Sequence, residues 1–285
     1  MFICNEKEKN MKTFSYPAEY LYFQYMVKNF FRFIYAKDIK NFIAKVCRTS
    51  TKRAVTINKG EIYWRARIGS AKNEGLKSSP GNKRVWQDDI PYPPEEMKPP
   101  LNKAKEGRAN PKGIPYFYLA TDIPTAIQEV RPWLNSRVTI AECQITKKLK
   151  LIDCSKNVYR LGSIEPNSFP LNLNDGKNEK LSNSEIEEFI WSQIDWAFSI
   201  PVDPSDEEAD YVPTQILAEL FKANNYDGII YNSLFAEGKD LVLFDVNSAE
   251  ILNCQLYRIT KIPPFEFCKV KPPRSEAYIE RVMKY

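Results

Sequence analysis

The segment Gly107–Trp133, GRANPKGIPYFYLATDIPTAIQEVRPW, constrains the fold more than any other part of the chain. Its glycine, proline and asparagine residues predict a loop over 107–113. The alternation that follows predicts a strand over 114–119. Asp122 then predicts the N-cap of a short helix, which ends before Pro132 because a proline disfavours helical geometry in the residue before it. A loop, a strand and a helix therefore follow one another within one short run.

Each of these elements carries one side chain suited to chemistry: Arg108 in the loop, Tyr118 near the strand end and Glu129 on the helix. Taken alone, a loop arginine is more often a solvated charge, and a strand tyrosine is more often a half-buried aromatic. A helix carboxylate beside an apolar stripe is as often an edge residue as a functional group. Ser233, at the end of a later strand, would ordinarily be a turn residue. Glu219 is also a mid-helix carboxylate, but no comparable loop and strand adjoin it.

The pattern of the chain changes near residue 55. Before it, aromatic and aliphatic residues at helical spacing over 14–50 predict helices that form a small core, with a partner surface or an oligomer contact as alternatives. After it, short alternating runs predict strands. We predict a helical N-terminal region (1–55), a catalytic domain (56–260) and a C-terminal extension (261–285). The expected fold class is α+β: a mixed β-sheet core with flanking helices, preceded by the small helical N-terminal region.

Within the central region, one strand is predicted over 62–68, where Arg65 and Arg67 share a face with Tyr63. A capping box that begins at Ser184 predicts the start of a helix. The other expected elements are strands over 138–145, 150–152, 229–232 and 241–244, a helix that begins at 213, and a long surface loop over 70–105.

Composition limits the kind of partner. The net charge of +5 favours an anionic ligand, but no run or stripe of lysine and arginine indicates nucleic-acid binding. The six cysteines form no Cys-x-x-Cys pair, and no secretory signal or membrane span is evident. We therefore expect reduced thiols and a cytoplasmic protein without a membrane partner.

The chain contains no histidine. A Ser-His-Asp triad, a Cys-His pair and a histidine-ligated zinc or iron site are excluded. Any catalysis must use carboxylates, hydroxyls, thiols, arginine, lysine or tyrosine, and we predict no metal site.

Five motifs occur in a characteristic order: YWRARIG (63–69), the segment 107–133, YVPTQILAEL (211–220), YDGIIYNS (226–233) and DLVLFD (240–245). Together they resemble the RES domain family, which is named for its Arg, Glu and Ser. The resemblance covers about residues 58–258. It implies a fold similar to that of ADP-ribosyltransferases and a toxin of a bacterial toxin–antitoxin pair that degrades NAD+.

The resemblance also implies site residues. The catalytic set is Arg108, Tyr118, Glu129 and Ser233. For binding NAD+ as the substrate, the set is Arg65, Arg67, Arg108 and Tyr118. No cofactor is expected, and the implied protein partner is a helix-turn-helix antitoxin, with a homo-oligomer left open.

These residue types suit cleavage of the nicotinamide–ribose bond. Nicotinamide leaves as a neutral group, so no general acid is needed, and a carboxylate such as Glu129 stabilises the ribosyl cation that develops. Arginine binds pyrophosphate. Water as acceptor gives a glycohydrolase, and inorganic phosphate as co-substrate gives a phosphorylase; the sequence leaves both open. The alternatives are an ADP-ribosyltransferase that modifies a macromolecule, or a non-catalytic interaction module.

Overall fold

A computed structural model describes residues 13–72, 89–100, 104–156, 181–200 and 208–262 of the chain. It has the predicted α+β content. The helices are α1 (Glu19–Asn29), α2 (Lys37–Ser50), α3 (Pro94–Met97), α4 (Ile123–Glu129), α5 (Asn183–Ser199) and α6 (Val212–Ala223). The strands are β1 (Ala54–Ile57), β2 (Ile62–Ile68), β3 (Ala71–Lys72), β4 (Asp89–Ile90), β5 (Phe117–Ala120), β6 (Arg137–Ile145), β7 (Leu149–Asp153), β8 (Gly228–Asn232), β9 (Lys239–Leu243) and β10 (Ala249–Arg258). Most of the predicted C-terminal extension lies outside the described residues.

Eight strands form one mixed sheet in the order β1-β7-β8-β9-β5-β2-β6-β10. Strands β7 and β8 are parallel, and the other neighbours described in this sheet are antiparallel. In the centre, Asp240 of β9 lies between Tyr231 of β8 and Ala120 of β5, and the pair two residues further along β9 joins Val242 to Tyr118. Because side chains alternate along a strand, Tyr118, Tyr231 and Asp240 lie on the same face of the sheet.

The two faces of the sheet are covered differently. On the first face, α1, α2, α5 and α6 enclose one hydrophobic core, and α4 packs beside it over β2 and β5. On the second face, residues 89–100 lie over the sheet and bury Met97 completely. Burial on both faces explains why Phe117 and Leu119 are as fully enclosed as the aromatic residues of the first face.

The N-terminal helices belong to this first core. The rings of Phe23 and Phe42 stack with centroids 4.7 Å apart, and both residues share a cluster with Phe221 of α6. The indole of Trp191 in α5 donates a hydrogen bond to Thr49 Oγ1 at 3.1 Å. The predicted aromatic helices therefore pack on the β-sheet domain.

Two local predictions were wrong. The capping box of α5 begins at Ser182, not Ser184, because Ser182 and Glu185 form the reciprocal hydrogen bonds between side chain and backbone and add residues to the helix. The expected loop over 70–105 contains the paired strands β3 and β4 and the single turn α3 in its described part. Strands of two residues are too short to show any periodicity.

Across the part of the chain that the structure describes, no helix is long and apolar enough to cross a membrane.

Candidate functional site

The loop that carries Arg108 is held by a buried asparagine. Asn110 donates hydrogen bonds to the carbonyls of Lys105 at 2.9 Å and Ile114 at 2.8 Å. Its Oδ1 accepts a hydrogen bond of 2.7 Å from the Tyr118 hydroxyl, which itself accepts one of 3.1 Å from Ala109 N–H. Burial raises the pKa of Tyr118 far above its usual value, so the hydroxyl stays protonated and keeps donating. Tyr118 therefore fixes the loop through its hydroxyl.

A second tether reaches this loop from α6. The side-chain amide of Gln215 donates to the carbonyls of Gly107 and Asn110, both at 3.1 Å. Glycine at position 107 leaves room for the Tyr118 hydroxyl, because a Cβ there would lie 2.6 Å from this hydroxyl and displace it. The loop is thus fixed on both sides of Arg108, and little reorganisation is needed to present this side chain.

Arg108 reaches towards the end of α4. Its Nε donates to the carbonyl of Ile200, just after α5, at 3.1 Å, and its guanidinium faces the side chain of Tyr231. Its Nη1 lies 3.7 Å from Glu129 Oε2. Burial disfavours the charge, but the facing Tyr231 and Glu129 groups outweigh burial and leave the pKa of Arg108 raised. Arg108 is a fixed cation.

Glu129 is the last residue of α4. The helix begins as the sequence predicts, with Asp122 accepting a hydrogen bond of 2.8 Å from Thr125 N–H, and it is followed by Arg131 at a positive φ of 47°. A carboxylate at the C-terminal end of a helix meets the negative end of the helix dipole. The Arg108 cation and a hydrogen bond of 2.7 Å from Ser233 Oγ offset this cost.

Ser233 follows β8 in a closed turn. Its N–H donates to the Gly238 carbonyl at 3.2 Å, and its Oγ accepts from Phe235 N–H at 3.2 Å while donating to Glu129. The guanidinium of Arg131 lies 4.6 Å from the centre of the Phe235 ring, which joins this turn to the end of α4. The backbone thus fixes the direction in which the serine proton points.

Three of the four predicted catalytic side chains are in contact, and the fourth supports them. Arg108 and Glu129 form an ion pair, Ser233 donates to Glu129, and Tyr118 positions the loop. The side chains of Arg108 and Glu129 are 12% and 21% exposed, so neither is completely buried. Among the described residues, no group of three or more cysteine, aspartate or glutamate side chains could hold a metal ion.

Arg65 and Arg67 are not brought to this cluster. The guanidinium of Arg65 lies 5.6 Å from the Phe117 ring on the second face of the sheet and donates to the Tyr118 carbonyl at 3.0 Å. Arg67 lies 4.0 Å from the Tyr92 ring and pairs with Glu96. The alternation of β2 separates them, because it is their neighbours in that strand that face α4. The expectation that Arg65 and Arg67 join Arg108 in one NAD+-binding set is therefore wrong for the arrangement of these side chains.

Two side chains of the cluster were not singled out from the sequence. Tyr231 contacts Arg108, and Asp240 contacts Glu129. Both lie within the motifs YDGIIYNS and DLVLFD, and the alternation of β8 and β9 points them to one face. The sequence did not show that β9 pairs with β5, and this pairing brings Asp240 beside α4.

The fold and site define an α+β domain with an arginine, a glutamate and a serine in contact beside the central strands of a mixed sheet. The family model of the RES domain matches residues 84–266, which is more than half of the chain. The chain belongs to the RES domain family.

A chain of the crystal structure of the M. tuberculosis MbcT–MbcA toxin–antitoxin complex is similar at 13% identity and a TM-score of 0.36, covering 75% of this chain and 92% of that chain. This likeness is too weak to support a structural argument. No curated protein matches the sequence.

Proposed function

We propose that this protein is a toxin of a toxin–antitoxin pair that degrades NAD+ by cleaving the nicotinamide–ribose bond. The observation that carries the proposal is the position of Glu129, a partly exposed carboxylate held by Ser233 and paired with Arg108. The family resemblance supplies the expectation of a toxin with a helix-turn-helix antitoxin as its partner.

The reaction suits a site without histidine. Breaking the bond releases neutral nicotinamide and leaves positive charge on the ribose. A carboxylate whose position is fixed before the reaction stabilises that charge without reorganisation. Glu129 is such a group, since Ser233 and the end of α4 hold it in place.

Arg108 has two functions in this proposal. It balances the charge of Glu129 in the absence of substrate, and its guanidinium is a cation for the pyrophosphate of NAD+. The proposal assigns no NAD+ contact to Arg65 or Arg67, because both lie away from Glu129.

The direct test is product analysis after the purified protein is incubated with NAD+, with and without inorganic phosphate. We expect release of nicotinamide without any added macromolecule. Formation of ADP-ribose identifies water as the acceptor, and a phosphorylated ADP-ribose formed only with phosphate identifies a phosphorylase.

Two results would contradict the proposal. Nicotinamide release only in the presence of a protein or nucleic acid that becomes labelled would identify an ADP-ribosyltransferase. No loss of NAD+ under any of these conditions would favour a non-catalytic interaction module.

A further inference from the structure

Asp240 is a second carboxyl group in the site. It lies in the middle of β9, between β8 and β5, and is only 5% exposed. Its side chain meets the carboxyl of Glu129 at the end of α4. Because β9 is paired with a strand on each side, the side chain of Asp240 is fixed on this face of the sheet.

The hydrogen bonding of Asp240 is incomplete when it is ionised. Within the described residues, no N–H or O–H group donates to its Oδ2 atom. The group that Asp240 meets, Glu129, is itself an acceptor when ionised. Two ionised carboxylates cannot satisfy one another, whereas one proton between them forms a short, strong hydrogen bond.

The surroundings decide which carboxyl holds that proton. Glu129 has a hydroxyl donor in Ser233 and a cation in Arg108, and its side chain is 21% exposed. Asp240 is more deeply buried and lacks a comparable donor to Oδ2. Burial therefore disfavours the charge on Asp240 more than on Glu129.

The charged groups around Asp240 agree with this assignment. Glu129 faces it from the end of α4, Asp122 from the N-cap of that helix, Arg108 from its loop and Tyr231 from β8. Burial, followed by the charge of Glu129, raises the pKa of Asp240 far above its ordinary range, and Arg108 only partly opposes this rise.

We propose that Asp240 is a positioning residue of this site: its carboxyl keeps a proton, donates it in a hydrogen bond to Glu129, and so leaves the negative charge of the pair on Glu129. The catalytic meaning of this assignment rests on the proposed function. Glu129 is then held by two donors, Ser233 from one turn and Asp240 from the centre of the sheet, and its carboxylate keeps one orientation towards the reacting ribose.

The first experiment measures the proton without using NAD+. Infrared difference spectra between the wild-type protein and Asp240→Asn at neutral pH should show the C=O stretch of a protonated carboxylic acid in the wild type only. Glu219→Gln, which changes an exposed carboxylate on α6, should leave that band unchanged. Absence of the band from the wild type would overturn the proposal.

Stability gives the same information through pH. A carboxyl whose pKa is raised on folding binds its proton more tightly in the folded chain, so stability falls as pH rises from about 4 towards the raised pKa. The free energy of unfolding should therefore decrease over this range in the wild type and decrease less in Asp240→Asn. Equal slopes in the two proteins would contradict the assignment.

Turnover of NAD+ tests the positioning role. We expect the wild-type rate to decline at alkaline pH, where Asp240 loses its proton. Asp240→Asn keeps a neutral donor, so it should retain most of the wild-type kcat and should not show this decline. Asp240→Ala has no donor, and its kcat should fall by about tenfold or more with little change in KM. A rescue by asparagine distinguishes positioning from simple packing.

The outcomes separate this inference from the proposed function. If the wild type consumes no NAD+, the proposed function fails and the catalytic meaning of Asp240 fails with it, whatever the infrared result. If the wild type consumes NAD+ but Asp240→Ala has the same kcat and pH profile as Asp240→Asn, only the positioning role is overturned.

Discussion

At the residue scale, the carboxylate of Glu129 is stabilised by a cation and a hydroxyl donor from two distant parts of the chain. Arg108 comes from the loop before β5, and Ser233 from the turn after β8. Each of these is in turn fixed by its own backbone or side-chain hydrogen bonds. These hydrogen bonds keep Arg108 and Ser233 in place around Glu129. Substitutions of residues that do not touch Glu129 should therefore also affect the site.

Tyr118 gives one such prediction. Tyr118→Phe leaves the buried N–H of Ala109 without its acceptor and Asn110 Oδ1 without its donor. We expect a loss of about 1–3 kcal/mol in the free energy of unfolding, measured by urea denaturation, because a buried polar group is left unsatisfied. The KM for NAD+ should rise, since Arg108 lies next to Ala109 and becomes less well fixed.

Tyr257→Phe is the matched control. Its hydroxyl donates to Gln255 in a hydrogen bond that is open to solvent. We expect its stability to change by less than about 0.5 kcal/mol. If the two tyrosine substitutions had the same effect, Tyr118 would not be the tether that the hydrogen bonds indicate.

The sequence alone predicted part of this arrangement. Arg108, Glu129 and Ser233 were identified by their motifs, and the structure brings them into contact. Asp240 and Tyr231 were not identified, because their contacts depend on pairing between strands that are distant in sequence. Arg65 was expected near Arg108, and only the register of β2 places it on the other face.

At the scale of elements, the start of α4 was predictable and the covering of the sheet was not. Asp122 is the N-cap that the sequence indicates, because capping depends on residues only three positions apart. The position of α1 and α2 depends on contacts with α5 and α6, which lie more than a hundred residues further along the chain. Periodicity showed that these helices have apolar faces without showing what they contact.

The packing of α2 gives a second prediction. Phe42 is 4% exposed and stacks on Phe23, so Phe42→Ala opens a cavity in the core that α1 and α2 share with α5 and α6. We expect a loss of roughly 3–5 kcal/mol in the free energy of unfolding, measured by chemical denaturation.

Phe33→Ala is the control on the same N-terminal region. Phe33 is 90% exposed between α1 and α2, and its loss should change stability by less than about 0.5 kcal/mol. An unfolding curve for Phe42→Ala like that of the wild type would contradict the packing of α2 in this shared core.

At the scale of the whole molecule, the site is formed where strands that are separated in sequence meet. The order β8-β9-β5-β2 places β9 next to β5, although these two strands are separated by more than a hundred residues along the chain. Helix α4 covers this part of the first face. The class α+β was predictable from the alternating runs. The strand order was not, because a pattern of alternation shows which side of a strand is buried and not which strand is its neighbour.

The central claim is that the Glu129 carboxylate stabilises the cation formed from NAD+. The direct measurement is NAD+ consumed per molecule of purified wild-type protein, Glu129→Gln and Glu219→Gln, with melting temperatures recorded for all three. Glutamine keeps nearly the same shape but removes the charge. We expect turnover by Glu129→Gln to fall roughly a hundred- to a thousandfold while the fold is retained, and turnover by Glu219→Gln to stay near that of the wild type. Near-normal turnover by Glu129→Gln would contradict the account.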